Sequence, residues 1–400
     1  MFVLKGRLID GNRDTALANG LVAVEGERIV YAGEADGFTV PEGTEVMEVR
    51  EGTIMPGMID CHAHLSAEES QNLTGNRHYD CLLTAAYDCG KLVDAGITGV
   101  RDMSAFGAAL SRAVDAGIVR GPRIMPGGRV ISVTAGHADT DSEMSVEEVN
   151  RKSLLSCVAD GKEGCLRAVR QQFRDGAKFI KICATGGVSS SVDNPNDVQF
   201  SREELDVMVA EAERRGSYVA AHCTGLAGTL QAIQAGVHSV EHGVNLNEEC
   251  VRLMKEKDIT LVSTCYVPFM MGKMTGHTSA MVKKGKDCVD TILSGYKLAR
   301  EAGVRLAMGT DFSNSHNTPY KEIGKELGCI CECGFTPMEA IQAATKNGAY
   351  LMKMADQTGT LEAGKLADIL VVDGDPSKEI GMLGDADHVR HVWIGGKKMK

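Results

Sequence analysis

The middle of the chain repeats one pattern, a short apolar run followed by an amphipathic helical segment, and this repeat limits the possible folds more than any other feature. Helix start signals recur between the runs, as in Ser201 with Glu204 and Thr336 with Glu339, which are capping boxes. Repeated βα units predict an α/β fold, a (β/α)8 TIM-like barrel. The eight candidate strands begin near Thr53, Ile97, Arg123, Lys178, Tyr218, Ser239, Thr260 and Arg305.

The two ends of the chain show a different pattern. Short runs that alternate apolar and polar residues fill the first fifty and the last forty positions, with turn residues between them. We expect both ends to share a small β-sandwich domain. The predicted domains are therefore residues 1–54 and 356–400 for the sandwich and residues 55–355 for the barrel.

Composition excludes several classes of protein. The 400 residues include 43 Lys and Arg against 54 Asp and Glu, a net charge of −11, which argues against a nucleic-acid-binding surface. Every apolar run is shorter than the roughly 18 residues that span a bilayer, so we expect no membrane segment. The N-terminus lacks signal-peptide features, and the 13 cysteines follow no disulfide spacing. A cytoplasmic location is expected.

An apolar run ending in a His-x-His motif is the strongest local sign of chemistry. Alternation along a strand places His62 and His64 on one face, roughly 6.5–7 Å apart, where both imidazoles can reach one metal ion. Two hydrogen-bonded or exposed histidines at a strand end are the alternative.

Further polar residues end the later candidate strands. His222 and His242 end two successive strands, and Asp311 follows the last one. In a barrel these ends meet at one face. Each histidine alone could be a buried core residue, and Asp311 a helix N-cap, but the matching positions favour a metal site. The Asp311 carboxylate can also move a proton.

Lys181 lies within an apolar strand, on the face opposite Ile180 and Ile182. A buried ammonium without a partner is unfavourable. Lys181 therefore reaches solvent at the strand end, loses its charge, or reacts with carbon dioxide to give a carbamate that can bridge two cations. Strand pattern alone leaves these three options open.

Together these motifs resemble the amidohydrolase superfamily of metal-dependent hydrolases, and its members with two metal ions in particular. The resemblance covers nearly the whole chain. Besides the residues above, it is carried by the segments at 56–60, 99–102, 240–243, 309–311 and 359–372.

The resemblance implies two divalent metal ions, with zinc expected, at the barrel mouth. His62, His64 and Asp311 would hold one ion, His222 and His242 the other, and a carboxylated Lys181 would bridge them. Manganese, cobalt and iron suit the same ligands. A hydroxide bridging the metals would attack the amide, and Asp311 would pass its proton to the leaving amine.

The segments at 134–139 and 178–187 look most like the prolidase-like, Xaa-Pro dipeptidase and zinc carboxypeptidase branch of the superfamily. By that resemblance the substrate is a small molecule with a linear amide bond, a dipeptide or an N-acyl amino acid. His137 would hydrogen-bond its carbonyl or carboxylate, unless it is only a polar loop residue. The branch often has a tyrosine where this chain has Thr224, and Tyr266 is a weak candidate to replace it.

Four loops are expected to line the pocket, at 66–80, 189–197, 266–277 and 312–320. They contain Arg77, Lys273 and His316, each of which could meet a substrate carboxylate or simply be a solvated charge. A stretch with Met270, Met271 and Met274 could form an apolar wall.

Other functions remain open on such a fold. An imidazolonepropionase-like cyclic-amide hydrolase would use one metal and no bridging lysine, so Lys181 argues against it. A deaminase, or a lactone or phosphotriester hydrolase, is possible. A binding protein with a silent metal site is the alternative outside enzymes. The resemblance also implies a homo-oligomer.

Overall fold

The computed structural model describes residues 1–65, 77–139, 144–188, 193–273 and 278–400. The strands are β1 (Phe2–Leu8), β2 (Leu17–Glu25), β3 (Arg28–Glu34), β4 (Glu45–Pro56), β5 (Met58–Ala63), β6 (Ile97–Asp102), β7 (Arg123–Pro126), β8 (Val130–Ser132), β9 (Ser156–Val158), β10 (Ile180–Cys183), β11 (Val219–Cys223), β12 (Ser239–His242), β13 (Thr260–Val262), β14 (Leu306–Ala307), β15 (Ile369–Asp373), β16 (Val389–Ile394) and β17 (Lys397–Lys398). The α-helices are α1 (Arg77–Asp94), α2 (Gly107–Asp115), α3 (Val146–Lys152), α4 (Gly161–Asp175), α5 (Arg202–Arg214), α6 (Leu226–Ala235), α7 (Glu248–Glu256), α8 (Tyr266–Met270), α9 (Ser279–Glu301), α10 (Lys325–Glu332), α11 (Pro337–Ala343) and α12 (Lys346–Leu351). Short 3-10 helices occupy Ala35–Gly37, Met271–Lys273, Tyr320–Glu322, Ile380–Gly384 and Ala386–His388.

Both chain ends contribute to one sheet of seven strands, in the order β17-β16-β15-β4-β1-β2-β3. The pairing of β1 with β4 is parallel and the other pairings are antiparallel. Val22 of β2 and Trp393 of β16 share one apolar cluster although their strands are far apart in the sheet order. The sheet therefore curls around this cluster, and strands from both chain ends belong to it.

The middle of the chain forms parallel strands in two sheets. One has the order β14-β13-β12-β11-β10-β8-β9 and the other β5-β6-β7. Hydrogen bonds connect the two sheets on both sides, from Cys61 N to Met308 O at 2.8 Å and from Lys178 N to Pro126 O at 2.7 Å. The carboxyl ends of all these strands consequently face the same way.

Helices cover the parallel strands on their outer side, where α4 packs on α5, α5 on α6 and α6 on α7. Both predicted capping boxes are present, at Ser201 with Glu204 and at Thr336 with Glu339. The largest apolar cluster lies between these helices and the strands. Within the described ranges, no helix is long and apolar enough to cross a membrane.

Two details differ from the sequence prediction. The run that begins near Thr53 is not one barrel strand, because β4 ends at Pro56 and β5 starts at Met58. The chain turns at Gly57, where a Cβ atom would overlap the Thr98 side chain. A parallel pair, β8 and β9, was also not predicted, since each strand has only three residues and gives little periodic signal.

Candidate active site

Every metal-ligand and catalytic residue predicted from the sequence lines one cavity of about 200 Å³. The cavity lies at the carboxyl ends of the parallel strands. His62 belongs to β5, Lys181 to β10, His222 to β11 and His242 to β12. His64, His137 and Asp311 come from the segments that follow β5, β8 and β14. The structure therefore brings together residues up to 249 positions apart, the separation of His62 and Asp311.

His62, His64 and Asp311 form a group whose ligand atoms all lie within 4.8 Å of one another. Oδ1 of Asp311 is 2.9 Å from Nε2 of His64 and 3.4 Å from Nε2 of His62. Burial raises the pKa of Asp311, but hydrogen bonds with the two imidazoles hold it well below its usual value. Two ring nitrogens that converge on a carboxylate oxygen make a site for a cation, either a proton or a divalent metal ion.

His222 and His242 lie beside this group on adjacent strands. In the ladder His222 pairs with Glu241 and His242 with Cys223, and the two rings are 4.4 Å apart. Burial, with help from nearby positive groups, lowers the pKa of both histidines well below 6.5, so both are neutral. Neutral imidazole is the form that binds metal.

Hydrogen bonds select which nitrogen of these rings faces the cavity. Nε2 of His222 is 3.1 Å from the carbonyl oxygen of Gly186, which can only accept, so Nδ1 keeps its lone pair. Nδ1 of His242 is 2.7 Å from Oγ1 of Thr264, and when this hydroxyl accepts, Nε2 keeps its lone pair for a metal ion. Such outer partners orient metal-binding imidazoles.

The backbone is left-handed at two of these residues, with φ of 70° at His242 and 61° at Asp311. Residues other than glycine seldom adopt this conformation. It persists at His242 because Tyr296 donates to the carbonyl oxygen at 2.8 Å, and at Asp311 because its N–H donates to His62 O at 2.7 Å. Strain of this kind is concentrated at functional sites.

Lys181 is 2% exposed, and its Nζ atom has no hydrogen-bond partner among the described residues. Burial lowers the pKa of Lys181, and Glu241 only partly offsets this effect. Of the three options left open by the sequence, an amine that reaches solvent is excluded. A neutral amine is also the form that reacts with carbon dioxide.

His137 lies on the other side of His222, and their rings stack with centroids 4.4 Å apart. Oδ2 of Asp193 is 3.0 Å from its Nδ1 atom and also accepts from the backbone N–H of Gly187 at 2.9 Å. A Cβ atom on Gly187 would overlap the His137 ring, so a larger residue there would displace the ring. His137 is therefore held in one orientation.

Sequence reasoning missed the partners that orient the site, namely Glu241, Asp193 and Thr264. Glu241 directly precedes His242 in the motif that carried the resemblance, but nothing in the sequence assigns it to His62. Its Oε2 atom is 2.8 Å from Nδ1 of His62. Buried carboxylates near predicted ligands are the signal that could have found such partners.

The cavity lining among the described residues includes none of the weaker candidates Tyr266, Lys273 and His316. Tyr266 has its hydroxyl 3.4 Å from Oε2 of Glu322, so it does not replace the missing tyrosine. Thr224 lines the cavity, but its hydroxyl bonds Pro195 O at 2.9 Å. Lys273 and His316 are exposed and are not among the described lining residues.

The loops predicted to line the pocket do so only in part among the described residues. Val267 and Pro268 of the loop at 266–277 line the cavity. Met270 and Met271 do not, so the predicted methionine wall is absent from the described lining. Residues 66–76, 189–192 and 274–277, with Met274 among them, lie outside the described residues, as does the side chain of Arg77.

The donor set fits divalent metal ions. Imidazole nitrogens and a carboxylate converge there, and these are ligands that zinc and related ions accept. The neutral rings, the ionised Asp311 and the unpartnered amine of Lys181 all suit such a group.

Comparison with known proteins identifies the family of the chain. Residues 53–399 match the model of the amidohydrolase family. The chain is 34% identical over 426 residues to an ochratoxinase of Aspergillus niger, covering 100% of this chain and 86% of the relative. It is 26% identical over 393 residues to an imidazolonepropionase of Sphingopyxis alaskensis, covering 92% and 89%.

Solved structures give the same result. The crystal structure of A. niger ochratoxinase superposes with a TM-score of 0.86 over 100% of this chain and 96% of that one. A prolidase complexed with N-methylphosphonate-L-proline, 28% identical, superposes with a TM-score of 0.90 over 99% and 98%. The chain belongs to the amidohydrolase family, and the predicted likeness to its prolidase-like members is confirmed. It is a hydrolase that acts on amide bonds, in a family that generally uses a metal centre.

Proposed function

We propose that the chain hydrolyses a linear amide bond in a dipeptide or an N-acyl amino acid with two divalent metal ions. One observation carries the proposal: the ligand atoms of His62, His64 and Asp311 converge, next to His222 and His242, in a cavity that also contains a buried lysine without a partner. A site for a single metal would not need that lysine.

His62, His64 and Asp311 would hold one metal ion, and His222 and His242 the other. Lys181, as a carbamate formed with carbon dioxide, would bridge them. The metal ions, zinc being the expected choice, would lower the pKa of a water molecule and polarise the scissile carbonyl.

Asp311 serves as the proton carrier of the reaction. Its carboxylate is ionised and faces the cavity, so it can accept the proton of the attacking water and pass it to the leaving amine nitrogen. His137, which Asp193 orients, lies where it can donate to the substrate carbonyl or carboxylate. No covalent intermediate with the enzyme is needed.

Apart from Thr224 and Thr264, the rest of the described cavity lining is apolar. Its described lining includes no arginine, and its one lysine is Lys181, so an apolar group of the substrate fits better than a second charge. A bulky acyl group or an apolar side chain next to the scissile bond is therefore proposed. The apolar lining residues are Val130, Ala138, Leu155, Val188, Val244, Val267, Pro268 and Ile292.

The first experiment measures metal per chain by elemental analysis in the wild type, in Lys181→Ala and in the control Lys178→Ala, whose side chain is exposed. We expect two metal ions in the wild type and the control. Lys181→Ala should lose them and recover part of its metal and activity with added acetate or propionate. One metal ion in all three proteins would refute the two-metal mechanism.

A second experiment identifies the substrate. Amine release is followed for N-acyl amino acids and dipeptides with small and bulky apolar groups, and for the matching amino-acid amides, which lack the carboxylate. We expect turnover to rise with the apolar group. Turnover confined to cyclic amides would favour the imidazolonepropionase-like alternative, to which the likeness of that relative lends support.

We also propose the architecture of the two domains. Hydrogen bonds on both sides of the two parallel sheets support a closed (β/α)8 barrel, and the curled terminal sheet supports a β-sandwich. The boundaries at 54/55 and 355/356, the homo-oligomer and the cytoplasmic location stay predictions.

A further inference from the structure

Arg101 of β6 lies fully buried beneath the candidate metal site, with a partner for each of its nitrogen atoms. Its Nε donates to the carbonyl oxygen of Cys61 at 2.6 Å. Nη2 donates to both carboxylate oxygens of Glu241, at 2.8 and 3.0 Å. Nη1 lies 3.4 Å from the hydroxyl of Tyr218 and 3.3 Å from that of Ser239. A planar fork of this kind fixes its partners in direction as well as distance.

Glu241 connects this guanidinium to a predicted metal ligand. Its carboxylate is fully buried, and its Oε2 atom accepts from Nδ1 of His62 at 2.8 Å. An ionised carboxylate can only accept, so the proton of His62 lies on Nδ1. Nε2, which faces Oδ1 of Asp311 at 3.4 Å, is then the ring nitrogen that can give up its proton to bind a metal ion.

We propose that Arg101 is a positioning residue, which acts through Glu241 to hold His62 in the orientation and tautomer that bind metal. The inference rests on the metal site of the proposed function. Arg101 touches neither the substrate nor the metal ligands' donor atoms. It fixes His62 twice, through the side chain by Glu241 and through the backbone by the carbonyl of Cys61, the preceding residue.

A purely structural role explains these contacts less well. A buried ion pair can often be replaced by apolar residues of similar volume with little loss of stability. Here the acidic partner instead turns one oxygen to a predicted ligand while both oxygens stay bound to Arg101. Carboxylates in this position raise the basicity of metal-binding imidazoles, and their loss typically weakens metal binding about 10–100-fold.

The test compares two double variants that each remove a charge pair. Arg101→Met/Glu241→Gln removes the pair under His62 and leaves no unpaired buried charge. Arg170→Met/Glu211→Gln is the control on the outer helices, where Glu211 is 2% exposed, is bound to Arg170 at 3.0 Å and also pairs with Arg214 and Arg215. Affinity for Zn²⁺ alone is measured by competition with a chromophoric chelator, and the melting temperature of each metal-free protein is recorded.

We expect Zn²⁺ to bind about 10–100-fold more weakly to the Arg101 double variant and with unchanged affinity to the control. Equal affinity in both double variants would overturn the proposal. Arg101→Lys is measured beside them and replaces the double variant if that protein does not fold, because lysine keeps the charge and Glu241 but lacks the planar fork that fixes Cys61 and Glu241 in direction. The same loss of affinity is then expected, and an unchanged affinity refutes the idea.

A measurement on the wild type alone tests the inferred tautomer. In Zn²⁺-loaded protein labelled with ¹⁵N-histidine, the nitrogen shifts report which ring nitrogen carries the proton and which binds the metal. We expect His62 to be protonated on Nδ1 only. A proton on Nε2 alone would overturn the inference. Wild-type protein that binds no Zn²⁺ would refute the proposed function instead, so the two failures can be told apart.

Discussion

Replacing Lys181 with methionine should have opposite effects on the metal-free and the metal-loaded protein. Methionine has a similar length but no amino group. In the metal-free protein the Lys181 amine is 2% exposed and has no hydrogen-bond partner among the described residues. Burying such a group costs about 1–3 kcal/mol. We therefore expect Lys181→Met to raise the free energy of unfolding of the metal-free protein by about that amount.

The size of the effect can be stated as a melting temperature. With about 2.1 cal/mol/K per residue, 400 residues give an unfolding entropy near 0.8 kcal/mol/K, so the expected rise is about 1–4 °C. A metal ion present at 1,000 times its Kd stabilises the wild type by about 4 kcal/mol, or about 5 °C. The variant should gain much less, because it lacks the bridging group. The order of the two melting temperatures then reverses when metal is added.

The assay is differential scanning calorimetry of both proteins after chelation, and again with Zn²⁺ and bicarbonate. Lys178→Met, at an exposed position shortly before the same strand, is the control and should change neither temperature by more than about 1 °C. A metal-free variant less stable than the wild type would show that the amine has a favourable partner. An equal gain from Zn²⁺ in both proteins would refute Lys181 as a ligand.

Three further predictions follow from individual contacts. Gly187→Ala should displace the His137 ring and lower kcat by at least about tenfold, with metal content unchanged. Gly328→Ala, where a Cβ meets open space, is the control and should keep its kcat. Equal activities of the two variants would show that His137 has no part in the reaction. Burial lowers the pKa of His238 to about 4. The unfolded chain therefore takes up that proton first as the pH falls below 6.5. The free energy of unfolding should then fall by up to about 3 kcal/mol between pH 6.5 and 4. Urea unfolding should show that this fall is absent in His238→Gln. Ile292→Ala should lower the free energy of unfolding by about 2–4 kcal/mol and shift substrate preference toward bulkier apolar groups. An unchanged preference in amine-release assays would show that the substrate does not contact Ile292.

Local sequence pattern determined much of this site. The alternation of a strand puts His62 and His64 on one face, and the βα repeat puts His222, His242 and Asp311 at the same end of the parallel strands. These features depend on the covalent geometry of neighbouring residues, which is why capping boxes and strand ends could be read directly. The strand pattern also identified Lys181 as a charged residue in an apolar strand, but it did not show whether the side chain is exposed.

Only the tertiary structure decided which groups orient those residues. Glu241 meets His62 across 179 positions, and Asp193 meets His137 across 56. The hydroxyl of Tyr266 turns to Glu322 rather than to the cavity. Such pairings depend on side-chain rotamers and on the packing of distant elements, and no local periodicity encodes them. The sequence by itself therefore determined the set of metal ligands that can be tested, whereas their tautomers and partners and the apolar lining of the cavity follow from contacts formed only in the folded chain.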